Sequence, residues 1–478
     1  MQPREDTVQS CDLCVIGAGS GGLSVAAAAA AFGEKVVLIE RHKMGGDCLN
    51  YGCVPSKALL AAARRAHQIR TSGPFGMRPT LPEIDHRAVH DHVKRVIAAI
   101  APNDSVERFT GLGVNVIQGA ARFVDPQTVA VGETRFKARR FVIATGSSPL
   151  LPPIPGLDRV DYFTNETIFD NAQRLEHLII IGGGPIGVEM GQAHLRLGSR
   201  VTVLEARAAL GRDDPELAAV LLESLRAEGL VIKENAGASQ VEGRIGAVRV
   251  TLEVDGRTEV VEGTQLLVAA GRKPNIDGLD LAAAGIKSDK RGITVNAGLV
   301  TSNPIVFAIG DCIGGAQFTH VANYHAGLVI RRVLFRLPAK VDAGIIPWVT
   351  YTEPELAHVG LTEAEARAAK GQINVLRWPF HDNDRAQAER ATTGLVKVVT
   401  DRRGTILGAS IVGDHAGEVI QMWSLAISQK MNIKAMTGWI APYPTLGEIN
   451  KRAAYRYYAL AAVNPLVRRA IRWLKALG

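Results

Sequence analysis

The stretch Cys11-Asp12-Leu13-Cys14-Val15-Ile16-Gly17-Ala18-Gly19-Ser20-Gly21-Gly22 decides how this chain folds. Cys11–Ile16 is an apolar run that reads as a buried strand, and the glycines after it read as a tight turn. An alanine-rich helical segment follows, then a second apolar strand over Lys35–Ile39 that ends at the acid Glu40. In such a unit each glycine has its own task. Gly17 permits the turn, Gly19 admits a pyrophosphate close to the backbone, and Gly22 lets the helix pack against the strand. Phosphate oxygens then meet free N–H groups at the positive end of the helix. Glu40 can accept hydrogen bonds from ribose hydroxyls. A Gly-x-Gly-x-x-Gly triplet alone is weak evidence; with strand, helix and acid in place it specifies a dinucleotide site.

The unit is repeated. Leu178–Ile181 is an apolar strand that enters Gly182-Gly183-Gly184-Pro185-Ile186-Gly187, followed by a helix and a strand Arg200–Leu204 ending at Glu205. Gly182, Gly184 and Gly187 take the three glycine roles. The acid stands 23 residues after the first glycine in both units, Gly17 to Glu40 and Gly182 to Glu205. Two such sites imply two dinucleotides, most simply FAD and a nicotinamide. An acid at the end of the second strand repels a 2′-phosphate, so Glu205 predicts NAD, with NADP the less favoured donor. Arg207, two residues on, softens that preference.

Between the repeats lies Gly45-Gly46-Asp47-Cys48-Leu49-Asn50-Tyr51-Gly52-Cys53-Val54-Pro55-Ser56-Lys57. The spacing of Cys48 and Cys53 suits one helical turn, where side chains share a face and sulfurs can pair. An accessible thiol pair beside an electron carrier is a redox device; the bland alternative is two cysteines buried in a core helix. The chain has 478 residues and only five cysteines, Cys11, Cys14, Cys48, Cys53 and Cys312, which is no disulfide framework. Cys11-x-x-Cys14 lies on an apolar strand without a second pair, so it reads as core packing. The net charge of +8 and a pI near 9.3 raise the question of nucleic acid, but the basic residues are scattered and form no run, so none is expected. No signal-peptide pattern opens the chain, and the expectation is a cytoplasmic protein of three domains.

The Cys-x4-Cys-x2-Ser-Lys arrangement after a first dinucleotide unit resembles the redox-active disulfide of the pyridine nucleotide-disulfide oxidoreductases, among them glutathione reductase, dihydrolipoamide dehydrogenase and mercuric reductase. The resemblance implies an α/β chain with two Rossmann-like domains and a C-terminal α+β interface domain. Its order would be an FAD-binding domain over 1–157 and 276–346, an NAD-binding domain over 158–275, and a dimerisation domain over 347–478 that pairs two subunits. Ala144-Thr145-Gly146-Ser147-Ser148-Pro149 resembles the second flavin fingerprint, Ala270-Gly271-Arg272-Lys273-Pro274 the return from the nicotinamide domain, and Phe307-Ala308-Ile309-Gly310-Asp311 the last flavin fingerprint. Asp47, Thr145, Gly146, Gly271, Arg272, Gly310, Asp311 and Ala322 are accordingly expected at the cofactors, with Asp311 on the ribityl chain. A helix is expected to start near Thr319, with Thr319 as its N-cap and His320 in a packing role.

By the same resemblance, Cys53 is the thiol against the flavin and Cys48 the thiol that meets substrate. Lys57 would sit near flavin N5, balanced by Glu189. Where glutathione reductase and dihydrolipoamide dehydrogenase carry a histidine and, five residues later, a glutamate, this chain has Tyr443 and Glu448. A phenol of unperturbed pKa ~10 is a poor base but can donate a proton. Mercuric reductase also has tyrosine in this region but needs a C-terminal cysteine pair, and no cysteine follows Cys312 here. The reading is a mercuric reductase-like FAD- and NAD-dependent enzyme passing electrons to a disulfide, metal-ion or other small acceptor. The alternatives are a dihydrolipoamide dehydrogenase and a non-catalytic flavoprotein subunit. No resident metal is expected, and His381-Asp382-Asn383-Asp384 reads as a solvated loop. Over Pro465–Leu477, Leu466, Ile471, Leu474 and Leu477 lie broadly on one side of a helix, with Arg468, Arg469, Arg472 and Lys475 elsewhere, a pattern for a membrane surface or for the partner subunit.

Overall fold

The computed structural model describes residues 8–254, 256–462, 465–475 and 477, with the side chains of 460–462 outside that description. Strand Val8–Ile16 is central to the first sheet, parallel to Val36–Glu40 on one side and Thr134–Ile143 on the other. Asn115–Gln118 extends the sheet beyond Val36–Glu40. Val306–Ala308 returns from far along the chain to pair with Thr134–Ile143, so its last fingerprint joins the sheet of the first. The opening strand starts at Val8, earlier than the expected Cys11. Residues 8–10 are held in the ladder by backbone pairing with Arg135–Lys137, but their side chains are exposed and carry no apolar signal. Cys14 is fully buried in this sheet and Cys11 partly so, consistent with packing.

Helix Ser20–Ala31 lies against helix Thr319–Val333. Its small residues make that approach possible: a Cβ at Gly21 would stand 3.1 Å from Ile309 Cδ1 and 3.2 Å from Ala322 Cβ. The second sheet runs His177–Ile181, Arg200–Leu204, Val231–Lys233 and Gln265–Val268, all parallel, and an antiparallel three-stranded sheet covers 237–263. Arg272–Pro274 then pairs with Ser147–Pro149, carrying the chain back to the first region. From Pro347 onward a five-stranded antiparallel sheet packs against helices Gln421–Ser428 and Glu448–Ala462. Its core holds Phe380 and Trp423, each fully buried and worth ~2–3 kcal/mol of apolar burial. The Trp423 indole N–H donates to Asn450 Oδ1 at 2.7 Å, so its one polar atom is satisfied.

Helix Cys53–Arg70 bridges the parts. It leaves the first sheet, packs against helix Pro185–Arg196 of the second, and so aligns Lys57 with Glu189. Buried Arg196 on that second helix bonds Glu228 at 2.7 Å and also Glu353 of the third region, joining the second region to the third. Among the described residues no helix is long and apolar enough to cross a membrane.

Candidate functional site

The two glycine loops are built alike. Glu40 Oε2 accepts from Ala18 N at 2.6 Å and its Oε1 from His42 N at 2.7 Å. Glu205 Oε2 accepts from Gly183 N at 2.8 Å and its Oε1 from Arg207 N at 3.0 Å. Each acid therefore fixes the loop on which a ribose and phosphate would rest. Gly17 and Gly182 adopt positive φ, and a Cβ there would press to 2.4 Å from Ala144 O or 2.3 Å from Ala269 O. At Gly22 and Gly187 a Cβ would fall 1.8 and 1.9 Å from the carbonyl oxygens of Gly17 and Gly182, so both glycines serve the helix–strand packing. Gly19 and Gly184 differ: a Cβ at Gly184 meets nothing within 4 Å, and one at Gly19 only Gly46 Cα at 4.0 Å. Both are N-caps of 12-residue helices, and neither helix has a side-chain cap. Open space before an uncapped helix N-terminus is the fit a dinucleotide pyrophosphate requires, and the chain provides it twice.

Both loops open on one cavity of about 2220 Å³, lined also by Asp47, Cys48, Cys53 and Lys57. Thr145, Gly146, Gly271 and Arg272 line it, as do Gly310, Asp311 and Ala322. Arg272 draws several of these together: its guanidinium bonds Ser147 Oγ at 2.7 Å, Ser147 O at 2.8 Å and Asp47 Oδ1 at 3.1 Å. Asp311 Oδ2 accepts from Ser147 Oγ at 2.6 Å, and burial pushes its carboxyl above the ordinary range.

The cysteines do not share one helical turn as their spacing suggested. Cys48 lies in the short helix Gly46–Asn50, the chain breaks at Tyr51–Gly52, and Cys53 is the first residue of the long helix Cys53–Arg70. Gly52 at the break has no room for a side chain, since a Cβ there would lie 2.8 Å from Asp47 Oδ2. Gly45 and Gly46 take left-handed φ values of 84° and 58°, and a Cβ at Gly46 would reach 2.8 Å from Gly19 Cα. The cysteine turn is thus pressed onto the first phosphate loop, which a continuous helix could not achieve. Neither cysteine is in a disulfide, and each is the strongest influence on the other's proton.

Their chemistry is polarised. The hydrogen bond from Cys48 lowers the Cys53 pKa most; burial opposes it, while the Thr319 hydroxyl at 3.3 Å and the Lys57 ammonium assist, and the result is about 6. Cys53 also heads a helix, where the dipole favours a thiolate. The Cys48 thiol is pushed well above its ordinary value by that same bond and by burial. Burial alone would pull Lys57 down, but Glu189, whose Oε2 accepts from Nζ at 2.8 Å, raises it instead and keeps it charged. Glu189 Oε1 accepts from Tyr351 N at 2.9 Å, and the ammonium sits 4.2 Å from the Tyr351 ring centroid.

Three participants escaped the sequence reading. Thr319 is not an N-cap: Phe318 occupies that position, and the Thr319 hydroxyl faces Cys53. Tyr351 supports the Lys57–Glu189 pair, and Asn165 Nδ2 donates to Asp47 Oδ1 at 3.1 Å. No local pattern marks these partners, since each contact joins residues more than a hundred positions apart. His320 bonds the Pro347 carbonyl at 2.7 Å and stacks on Phe318, a packing role. The stretch 381–384 is more than a solvated loop, because buried Asn383 caps helix Asp384–Glu389. No metal-ligand cluster occurs among the described residues.

Tyr443 and Glu448 do not line this cavity. Tyr443 is 68% exposed, and its hydroxyl donates to Asp384 Oδ2 at 2.7 Å, which raises the phenol's pKa further. Glu448 accepts from Arg452 one helical turn on.

Comparison with known proteins agrees with this geometry. Residues 11–326 match the family described as pyridine nucleotide-disulphide oxidoreductase, and residues 346–454 match its dimerisation domain. The mercuric reductase of Lysinibacillus sphaericus is 36% identical over 93% of this chain and 82% of its own length. The dihydrolipoyl dehydrogenase of Geobacillus stearothermophilus is also 36% identical, over 92% of this chain and 94% of its own. Among solved structures, the Cu(II) complex of the HOCl-induced flavoprotein disulfide reductase RclA from Escherichia coli superposes with a TM-score of 0.84. It is 26% identical, over 95% of this chain and all of that one.

Proposed function

The chain belongs to the pyridine nucleotide-disulphide oxidoreductase family, FAD-dependent enzymes with NAD(P)H as electron donor, and from that premise we propose that it transfers electrons from NADH to a metal ion taken up at the Cys48–Cys53 pair. One observation carries the choice of acceptor. The thiol pair is polarised for electron delivery, whereas the position expected to hold a base, Tyr443, carries a phenol whose proton is committed to Asp384. A disulfide acceptor, whose leaving thiolate must be given a proton, is poorly served by an engaged phenol; a thiophilic cation needs no such proton. The mercuric reductase relatives and the Cu(II)-bound RclA support the same direction.

Residues 1–157 and 276–346 would bind FAD and residues 158–275 the nicotinamide, with 347–478 pairing two subunits. Gly19 and Gly184 would receive the two pyrophosphates at their helix ends, Glu40 and Glu205 the riboses, and Asp311 with Arg272 the flavin's polar side chain. When bound, FAD supplies the two-electron chemistry that links a nicotinamide donor to a thiol pair. The chain's own residues do the rest. Lys57, held charged by Glu189, stabilises negative charge beside Cys53 and orients that thiolate. Thr319 donates its hydroxyl hydrogen to the same sulfur. Cys48, the thiol that keeps its proton, faces the acceptor. Closing the Cys48–Cys53 disulfide from the Cys53 thiolate and the Cys48 thiol would release two electrons to the acceptor and one proton, from Cys48, to solvent.

A second reading, dihydrolipoamide dehydrogenase, is favoured by relatives at equal identity. The test is NADH consumption by the flavin-loaded enzyme against Hg(II), Cu(II), oxidised glutathione, lipoamide and quinones. Metal-dependent turnover lost in Cys48→Ser supports the proposal. Efficient lipoamide turnover with none on metal ions overturns it in favour of the second reading.

A further inference from the structure

The last helix, Pro465–Leu474, is built unlike the one before it. Helix Glu448–Ala462 buries Ile449, Ala453 and Ala454 against the antiparallel sheet. Pro465–Leu474 buries no residue, and leaves Ile471 49%, Trp473 65% and Leu474 56% exposed, with Leu477 just beyond it at 67%. At about 100° per residue, Trp473, Ala470, Leu474, Val467 and Ile471 fall on one arc of about 160°. Lys475, Arg472 and Arg469 fall on the opposite arc, and no acid occurs anywhere from 465 to 477. The two arcs do not interleave.

We propose that this helix lies in the surface of an anionic lipid bilayer, its apolar arc at the acyl boundary and its cations among the headgroups. The helix spans only about 15 Å and cannot cross a hydrocarbon core of about 30 Å, so it lies in the plane. Trp473 and Ile471 form the edges of the apolar arc, next to Arg469 and Lys475. An indole at such an edge reaches water with its N–H, and long cationic side chains extend to headgroups. Charge complementarity selects this occupant: an acid-free cationic arc fits a negative surface, and the matched dimerisation domain ends at residue 454, before this helix. The inference rests on the helix alone and is independent of which acceptor the thiols serve.

The experiment is co-sedimentation of the flavin-loaded full chain with phosphatidylcholine vesicles, with and without phosphatidylglycerol. Binding is expected only with phosphatidylglycerol, and it should weaken as salt rises. Arg469→Gln and Arg472→Gln should each weaken it about fivefold. Ile471→Ser combined with Leu474→Ser should abolish it while NADH turnover and subunit mass stay unchanged. A blue shift of tryptophan fluorescence on vesicle addition should disappear in Trp473→Phe. Four results would each overturn the proposal. They are equal binding to neutral vesicles, wild-type binding by the serine variant, dissociation of the dimer by that variant without vesicle binding by wild type, and capture by heparin or DNA without capture by vesicles.

Discussion

Around Cys53, every partner comes from the same chain and is fixed from several sides. Cys48 bonds it, Thr319 bonds it, Lys57 faces it, and Lys57 is itself held by Glu189, which Tyr351 holds in turn. Around Tyr443 the chain offers a single hydrogen bond, to Asp384, with Glu448 and Arg452 acting only from farther off and most of the side chain exposed. The first region is a preorganised site in which an anion is stabilised before any substrate arrives. The second is a surface that completes nothing on its own subunit. On the proposed function, electron entry is determined within one chain and the acceptor is chosen at the less constrained face. This contrast is in keeping with relatives of equal identity whose names assign different substrates, a mercuric reductase and a dihydrolipoyl dehydrogenase.

The sharpest way to break the comparison is to remove the core. Cys53→Ser and Cys48→Ser should each lower acceptor-dependent NADH consumption by roughly a thousandfold, with flavin content retained as the folding control. Residual turnover near wild type would mean that electrons leave without the thiols.

Lys57→Met should act less severely. Cys53 has a pKa lowered to about 6, so its thiolate is present above that pH and is lost as pH falls through it. Removing the ammonium raises that pKa. The acid limb of the kcat/KM–pH profile should then move upward by about one unit, costing about fivefold in rate near pH 6. An unmoved limb would show that the hydrogen bonds from Cys48 and Thr319 set the thiolate alone.

Glu205 predicts a preference for NADH, with NADPH weaker by about tenfold or more in kcat/KM, and Glu205→Ala should narrow that gap. Comparable efficiency with both donors in the wild type would remove Glu205 from that role.

The smallest effects belong to the outer face. Tyr443→Phe should leave metal-dependent turnover within about twofold, because the phenol's proton is already engaged by Asp384. Tyr443→His should raise dihydrolipoamide oxidation, with Glu448 available to orient the imidazole once it leaves Arg452. Strong wild-type dihydrolipoamide oxidation that survives Tyr443→Phe would place the base elsewhere.

The residue sequence by itself determined the paired dinucleotide units. Their signals are local: glycines at fixed offsets, an acid at the end of the next strand, and apolar runs at strand length. Those offsets translate directly into backbone geometry, because a Cβ at Gly22 or Gly187 would collide with the carbonyl of Gly17 or Gly182 five positions earlier. The thiol pair and the amphipathic tail were legible for the same reason. Only the tertiary structure decided how the thiols are tuned. The Thr319 hydroxyl reaches Cys53 across 266 residues, Glu189 reaches Lys57 across 132, and Tyr351 reaches Glu189 across 162. No spacing rule encodes such contacts. They exist because helix Cys53–Arg70 packs on Pro185–Arg196, and because the turn at Gly45–Gly46 brings the cysteine segment against Gly19. A thiolate's pKa is set by what surrounds the sulfur in space, and proximity in space is a property of packing rather than of order along the chain.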